Sequence, residues 1–321
     1  MRNKKALLLG LKIFLSVGLI LWITHNVSLE QVWLVIADAH VTLLFFAFSL
    51  FFVGYFITAF RWRMLIRAQG GDAPIFYLVR SFMVAIFFNN FLPSTVGGDA
   101  VRMYDSWRLG NTTSGAVSVV LVDRFLGVLA LLLIALIALL MDPHISTQFP
   151  SIAIWVGITI FSAGLLVWIV LNTPPGKIKT FALKSSGVIH RLAGFLGKVL
   201  NTLQSYKHSP GAVVRALLLS FLLQLNVVVH FIFLTRALGI NVPIEAMFFI
   251  IPVAIFVMML PVSINGIGLR ETVFVFLFSL FGVPHIEALA LAWLAYSFSL
   301  AQGILGGMVF AVRREHSARP A

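Results

Sequence analysis

Cysteine is absent from the 321 residues, which excludes disulfides, thiolate metal sites, iron–sulfur clusters and a cysteine nucleophile. Charge is scarce. Only 11% of residues are Asp, Glu, Lys or Arg, against roughly 25% in an ordinary soluble domain. Acids are the scarcer sign, 11 against 23 basic residues, for a formal net charge of +12. The sequence has no G-x4-G-K-[ST] loop, no G-x-S-x-G elbow, no H-E-x-x-H pair and no clustering of its eight histidines. Without them there is no intrinsic ATP drive, no nucleophile–base pair and no metal site to read. What is present is apolar: 60% of the residues are hydrophobic. They fall in runs long enough to cross a hydrocarbon core of roughly 30 Å. A soluble globular enzyme and a disordered chain are both excluded. The chain reads as an all-α polytopic membrane protein. Its basic residues lie between apolar runs, so they report orientation in a membrane rather than nucleic-acid binding.

The full-length runs are Ala6–Ile23, Val41–Phe60, Ala116–Met141, Ile152–Leu171, Val213–Leu234 and Ile286–Val312. The first follows Arg2, Lys4 and Lys5; its length and the lack of an A-x-A site favour an uncleaved span over a signal peptide. Basic residues concentrate at the N-terminus, at 61–67, at 172–210 and at the C-terminus, whereas 24–40 and 142–151 contain acids and no Lys or Arg. The positive-inside rule then puts the first set in the cytoplasm and the second outside, N-in and C-in. Two more apolar runs, Ile75–Leu92 and Ile244–Leu260, end in Pro- and Gly-rich segments. Crossing parity requires 75–112 and 244–283 each to return to its own side. The sequence thus predicts six full spans plus two re-entrant or broken hairpins. Non-helical backbone at that depth is tolerated only when buried in protein or lining a wet cavity.

The chain repeats itself. Arg67-Ala68-Gln69-Gly70-Gly71-Asp72-Ala73-Pro74-Ile75 matches Arg236-Ala237-Leu238-Gly239-Ile240-Asn241-Val242-Pro243-Ile244, at an offset of 169 residues. Val84–Phe87 recurs as Val253–Phe256. Leu92–Arg102 and Leu260–Arg270 share the pattern L-P-x4-G-x3-R. The ledger places Arg67 inside and Arg236 outside, so the halves, about 41–141 and 213–312, are expected to be inverted repeats. Inverted repeats with broken helices are a transporter signature, with the substrate site at the repeat interface; the plainer account is a duplicated scaffold.

Charges in the hairpins carry the chemistry. Asp99 or Asn265 could cap a returning helix, but that accounts less well for Arg102, Arg270 and Glu271. A charge at membrane depth costs at least a few kcal/mol and is paired or functional. Two arginines beside two helix N-termini suit a phosphate head group. The expected substrate-binding set is Arg102, Arg270, Asp99, Glu271, Gly98 and Gly266, with Asn90 and Arg80 (and Asn89) on the entering helix. The competing account is a structural network, such as Asp99 with Arg270 or Glu271 with Arg102. Asp123 and Arg124 are sequence neighbours and point apart on a helix; they are expected to form structural ion pairs with the hairpin charges. Asn226 and His230 share a helix face and are expected to hydrogen-bond between helices. The segment 177–207 is amphipathic and basic, and is expected to lie on anionic inner-leaflet lipid.

Leu92–Arg102, with Asp123-Arg124 following, resembles the first signature of the lysylphosphatidylglycerol synthase transmembrane-region family. Gly266-Ile267-Gly268-Leu269-Arg270-Glu271 resembles its second. The resemblance covers essentially the whole chain. It implies a flippase-like phospholipid unit, found alone or fused to soluble aminoacyl-transferase or glycosyltransferase domains, with relatives linked to isoprenoid or hopanoid lipids. It implies that Gly98, Asp99, Arg102, Arg270 and Glu271 matter. Asn265 stands where relatives often carry glycine. No soluble transferase domain follows in this sequence, so synthesis of lysylphosphatidylglycerol is not expected.

The reading reached is a non-enzymatic, flippase-like transporter in a cell membrane, taken to be a bacterial inner membrane. It would move an anionic phospholipid or an isoprenoid-type lipid-linked intermediate between leaflets, with no cofactor, no metal and no nucleic acid. The alternative is a non-transporting scaffold for membrane enzymes that modify lipids or glycolipids. An intramembrane enzyme ranks last, for want of a nucleophile–base pair.

Overall fold

The computed structural model describes residues 29–91, 97–109, 111–141, 150–172, 197–260, 263 and 266–313. Helices dominate and no strand occurs among these residues. In chain order the main helices are α1 (Leu29–Ala37), α2 (Val41–Arg67), α3 (Ile75–Phe91), α4 (Gly97–Arg108), α5 (Thr113–Met141), α6 (Pro150–Asn172), α7 (Pro210–Ala237), α8 (Ile244–Met258), α9 (Leu269–Ser279) and α10 (His285–Val312), with 197–205 also helical and followed by a 3-10 turn, Tyr206–His208. Among the described residues α2, α5, α7 and α10 are long and apolar enough to cross a membrane. α6, which contains the run Ile152–Leu171, is a further apolar helix of 23 residues. The expected first span, Ala6–Ile23, lies outside the described residues.

The segments expected as hairpins hold helix pairs in mutual contact, α3 with α4 and α8 with α9. Their tips, 92–96 and most of 261–265, lie outside the described residues. The segments that lead into them turn alike. Gly70 and Gly239 take φ of +83° and +70°. The next residue then reaches back to the helix, Gly71 N–H to Ile66 O at 3.2 Å and Ile240 N–H to Thr235 O at 2.9 Å. That turn satisfies terminal carbonyls and needs the left-handed backbone that glycine supplies.

Packing is crossed between the halves. α2 lies along α7, α3 packs on α10, and α8 packs on α5. In lipid no hydrophobic gain separates helix from acyl chain, so close contact and hydrogen bonds hold such pairs. Both are visible. On α10, a Cβ at Gly306 would lie 2.0 Å from the Met83 carbonyl oxygen. Asn90 Nδ2 donates to Ser299 O at 2.7 Å, and Ser299 Oγ returns a bond to Asn90 Oδ1 at 3.1 Å. His230 Nδ1 donates to Ala47 O at 2.8 Å, tying α7 to α2.

Two expectations are corrected. The span expected to end at Phe60 continues to Arg67, so Arg61 is a buried helical residue at 5% exposure rather than a loop charge; its charge is neutralised inside the bundle. The segment 24–40, expected as a loop, holds α1, whose Val32 packs with Leu289 and Ala290 of α10. Of the amphipathic 177–207, only 197–207 is described. There Val199, Leu200 and Tyr206 are buried against the bundle, with Ser118 Oγ donating to Val199 O at 3.4 Å and Tyr206 Oη to Leu65 O at 3.2 Å.

Asp72, between α2 and α3, accepts bidentate bonds from Arg63 (2.8 and 3.1 Å) and Arg67 (3.0 and 3.1 Å). Arg63 and Arg67, with the Ala73 N–H, hold its carboxyl well below the usual carboxylate range. A depressed carboxylate stabilises the fold above its unfolded pKa of about 3.9 and loses that contribution as pH falls through its folded value. Asp72→Asn should therefore melt below the wild type at pH 5–8 and converge with it in stronger acid. The gap should narrow with salt, because the pair is exposed. Melting curves of both proteins against pH and salt check this.

Candidate functional site

α4 is built inside out. Its buried residues are Gly98, Asp99, Arg102, Asp105 and Ser106, while Tyr104 and Trp107 face outward. Spacing of three to four residues puts the polar groups on one stripe. A helix among lipids places its charges inward, against other helices. Its start is fixed by Gly98, where a Cβ would fall 2.4 Å from the Ala85 carbonyl oxygen. The Gly98 N–H donates to Asn89 Oδ1 at 2.8 Å. The cap is thus Asn89, on the entering helix, rather than Asp99, the possibility weighed from the sequence; Asp99 is turned away to an ion pair with Arg124.

At the centre is Asp123, at 1% exposure. Arg61 Nε donates to its Oδ1 at 2.6 Å and Arg102 Nη2 to its Oδ2 at 2.8 Å. Arg61 also donates to Ser220 Oγ on α7 at 2.9 Å. Arg102 lies over the Trp62 ring, 4.7 Å from its centroid, and near Phe82 at 5.7 Å. Trp62 Nε1 in turn donates to Ser106 Oγ at 3.2 Å. One cluster therefore joins α2, α4, α5 and α7. It holds three arginines, Arg61, Arg102 and Arg124, against two carboxylates, Asp99 and Asp123. Arg102 Nε is buried and has no hydrogen-bond acceptor among the described residues. A buried unsatisfied donor on a cation costs about 1–3 kcal/mol or more and points to an anion.

A second cluster pins the far end of α4. Asp105, at 1% exposure, accepts from both Arg313 Nη atoms at 2.8 and 2.7 Å, from Tyr77 Oη at 3.2 Å and from Ser81 Oγ. Arg313 Nη2 also donates to Tyr77 Oη at 2.8 Å. The start of α3, the end of α4 and the end of α10 thus meet at one end of the bundle.

In the second hairpin, Gly266 and Gly268 both take positive φ just before α9. Glu271 Oε2 accepts the Gly268 N–H at 2.8 Å and so caps its own helix. The Arg270 guanidinium lies over the Tyr296 ring of α10, 4.5 Å from its centroid. The cross-hairpin pairs weighed from the sequence are not the ones formed: Asp99 pairs with Arg124 and Arg102 with Asp123. Arg80 is exposed on α3. Asn90 is engaged with Ser299. Asn265 lies outside the described residues.

Arg61, Ser220, Trp62 and Asp105 were not found from the sequence. A signal for Arg61 existed: a lone acid in a span, Asp123, needs cations, and Arg61 continues the helix of the preceding run. Among the described residues no group of three or more His, Cys, Asp or Glu is placed to hold a metal ion. The arrangement offers buried guanidinium donors suited to an anion. A search of curated proteins finds no match to the chain. The arrangement sits in a scaffold recognised as a whole: the lysylphosphatidylglycerol synthase TM region family model matches residues 8–307, and the chain belongs to that family.

Proposed function

We propose that the protein moves an anionic phospholipid, or a lipid-linked intermediate, between membrane leaflets without catalysing a covalent step. The observation that carries this is the buried cluster with three arginines to two carboxylates and an unsatisfied Arg102 Nε. A buried guanidinium N–H without an acceptor at membrane depth is costly unless an anion joins it. Arg124, whose side chain is 37% exposed, is the accessible member; it, Arg102 and Arg270 meet the phosphate, while Asp123 and Trp62 hold Arg102 in place. Asp99 and Glu271 set these arginines by the ion pair and the helix cap.

The two halves act as inverted repeats, about 41–141 and 213–312. The crossed packing of α3 on α10 and α8 on α5 supports this. So does the meeting of Tyr77, Asp105 and Arg313, which returns the first hairpin to the end where α10 finishes. The second hairpin leaves and rejoins at the opposite end, where Gly239 and Glu287 lie beside Asp38. By the positive-inside ledger the Arg313 end is cytoplasmic, in a bacterial inner membrane.

The test uses the purified chain in vesicles of phosphatidylcholine and phosphatidylglycerol carrying a fluorescent phosphatidylglycerol. Quenching by dithionite reads the fraction reaching the outer leaflet. Arg270→Ala should slow translocation at least about tenfold, the loss of roughly 1.4 kcal/mol of stabilisation, with reconstituted protein levels unchanged. Arg270→Lys should retain part of the rate. Translocation at the wild-type rate in Arg270→Ala removes the transport role and favours a scaffold that docks lipid-modifying enzymes.

A further inference from the structure

The two repeats are not packed alike, and the difference leaves a cavity. In the first half, Met83 and Phe87 of α3 meet glycines of α10: a Cβ at Gly306 would lie 2.0 Å from Met83 O, and one at Gly307 would lie 3.0 Å from the Phe87 ring. Their counterparts at the 169-residue offset are Pro252 and Phe256 of α8. These face Leu131, Leu132 and Ala135 of α5, not glycine, and line a cavity of about 370 Å³. No glycine stands among the α5 residues of that lining, whereas Gly306 and Gly307 of α10 meet α3 directly. Pro252, inside α8, lacks an N–H and perturbs its helix at the same level.

The lining is apolar apart from Thr159, whose hydroxyl already donates to Trp155 O at 2.7 Å. Water needs two to four polar partners and finds none here. At the rim, Trp155 and Phe276 are 67% and 56% exposed, so the cavity opens toward the lipid. An apolar cavity of 150 Å³ holds a benzene ring, so this one takes roughly a dozen carbon atoms. The occupant in that setting is hydrocarbon.

The cavity is also in line with two arginines. On α5, Arg124, Leu131 and Ala135 share one stripe, with spacings of seven and four. On α9, Arg270, Val273 and Leu277 share another. Both arginines thus precede lining residues on the same helix faces, roughly 5–10 Å away along the axes. We infer that the cavity holds one acyl or prenyl chain of a lipid whose phosphate sits at Arg124 and Arg270. This rests on the anionic-lipid reading above and adds a tail site confined to the second half of the molecule. The head lies on the Arg313 side of the tail, the orientation of a lipid drawn from that leaflet.

The test is photolabelling of the full chain in phosphatidylcholine vesicles containing a trace of phosphatidylglycerol with a mid-chain diazirine. Digestion and mass spectrometry locate the adducts. They should concentrate on α8 residues 252–257 and α9 residues 273–277, at several times the yield on the outer face of α6. Thr159→Trp, which fills the cavity from the lipid side, should cut that labelling several-fold. Ala135→Phe fills it from α5 and should act alike where it folds. Arg270→Gln should reduce labelling by this probe. Adducts spread evenly over the lipid-facing surface, or a pattern unchanged by Thr159→Trp, overturn the proposal. Labelling that Arg270→Gln leaves unchanged overturns the proposal as well, whereas concentrated labelling that Arg270→Gln reduces, with translocation unimpaired in that variant, overturns the transport reading and leaves the tail site standing.

Discussion

Asp123→Ala is expected to cost about 3–5 kcal/mol, the loss seen when one partner of a buried ion pair is removed. Two guanidiniums depend on that carboxylate, Arg61 at 2.6 Å and Arg102 at 2.8 Å. Both are at 5% exposure, so neither can turn to water. The damage also spreads: Arg61 joins α2 to Ser220 of α7, and Arg102 joins α4 to Trp62. Asp123→Asn should be nearly as harmful, since an amide offers one acceptor and turns its NH2 toward cations. The triple change Arg61→Met, Arg102→Met, Asp123→Leu should recover most of the stability, because it removes every buried charge of the triad while keeping the volume. It should not recover translocation. Thermal unfolding in detergent checks the order: wild type and triple variant close together, Asp123→Ala and Asp123→Asn well below. An Asp123→Ala protein that melts with the wild type would mean that the bundle does not rely on this carboxylate.

Apolar run length located the bundle helices because lipid thickness imposes it; the runs from Val41 and to Met141 share their ends with α2 and α5. Pro74, Gly70 and their counterparts Pro243 and Gly239 punctuated the hairpin entries, since the chemistry there is local to the backbone. Arg61 was misplaced for a different reason. A cation next to the end of an apolar run looks like a loop charge until its partner is known, and that partner is 62 residues away. Asp105 was overlooked because α4 is polar enough to read as a connector, and its partner Arg313 is 208 residues away. α1 escaped because its nine residues are too few for a span. Conversely, the glycines of α10 carried no visible role in the sequence. Their meaning depends on which helix lies opposite.

Gly306→Ala should therefore be far more costly than its position in a membrane helix suggests. Ala is the better helix former by about 1 kcal/mol, so an isolated α10 would gain from the change. In the bundle the new Cβ would lie 2.0 Å from the Met83 carbonyl oxygen and 2.9 Å from its carbon. Both are backbone atoms and cannot swing aside. α10 must then move off α3, which breaks the paired bonds between Asn90 and Ser299 and strains the Arg313–Asp105 pair. Overpacking of this kind costs typically 1–3 kcal/mol, and the rigid obstacle puts Gly306→Ala at about 3. Gly307→Ala is the control. Its Cβ would meet only the Phe87 ring, at 3.0 Å, and a side chain can tilt away, so the cost should stay below about 1 kcal/mol. Melting temperatures of the two variants decide between a helix-propensity account, which raises both, and a close-approach account, which lowers Gly306→Ala alone by several degrees. Because α3 also presents Asn89 and Ala85 to the start of α4, displacing it should misplace Asp99 and Arg102, and Gly306→Ala should lose translocation in whatever fraction still folds.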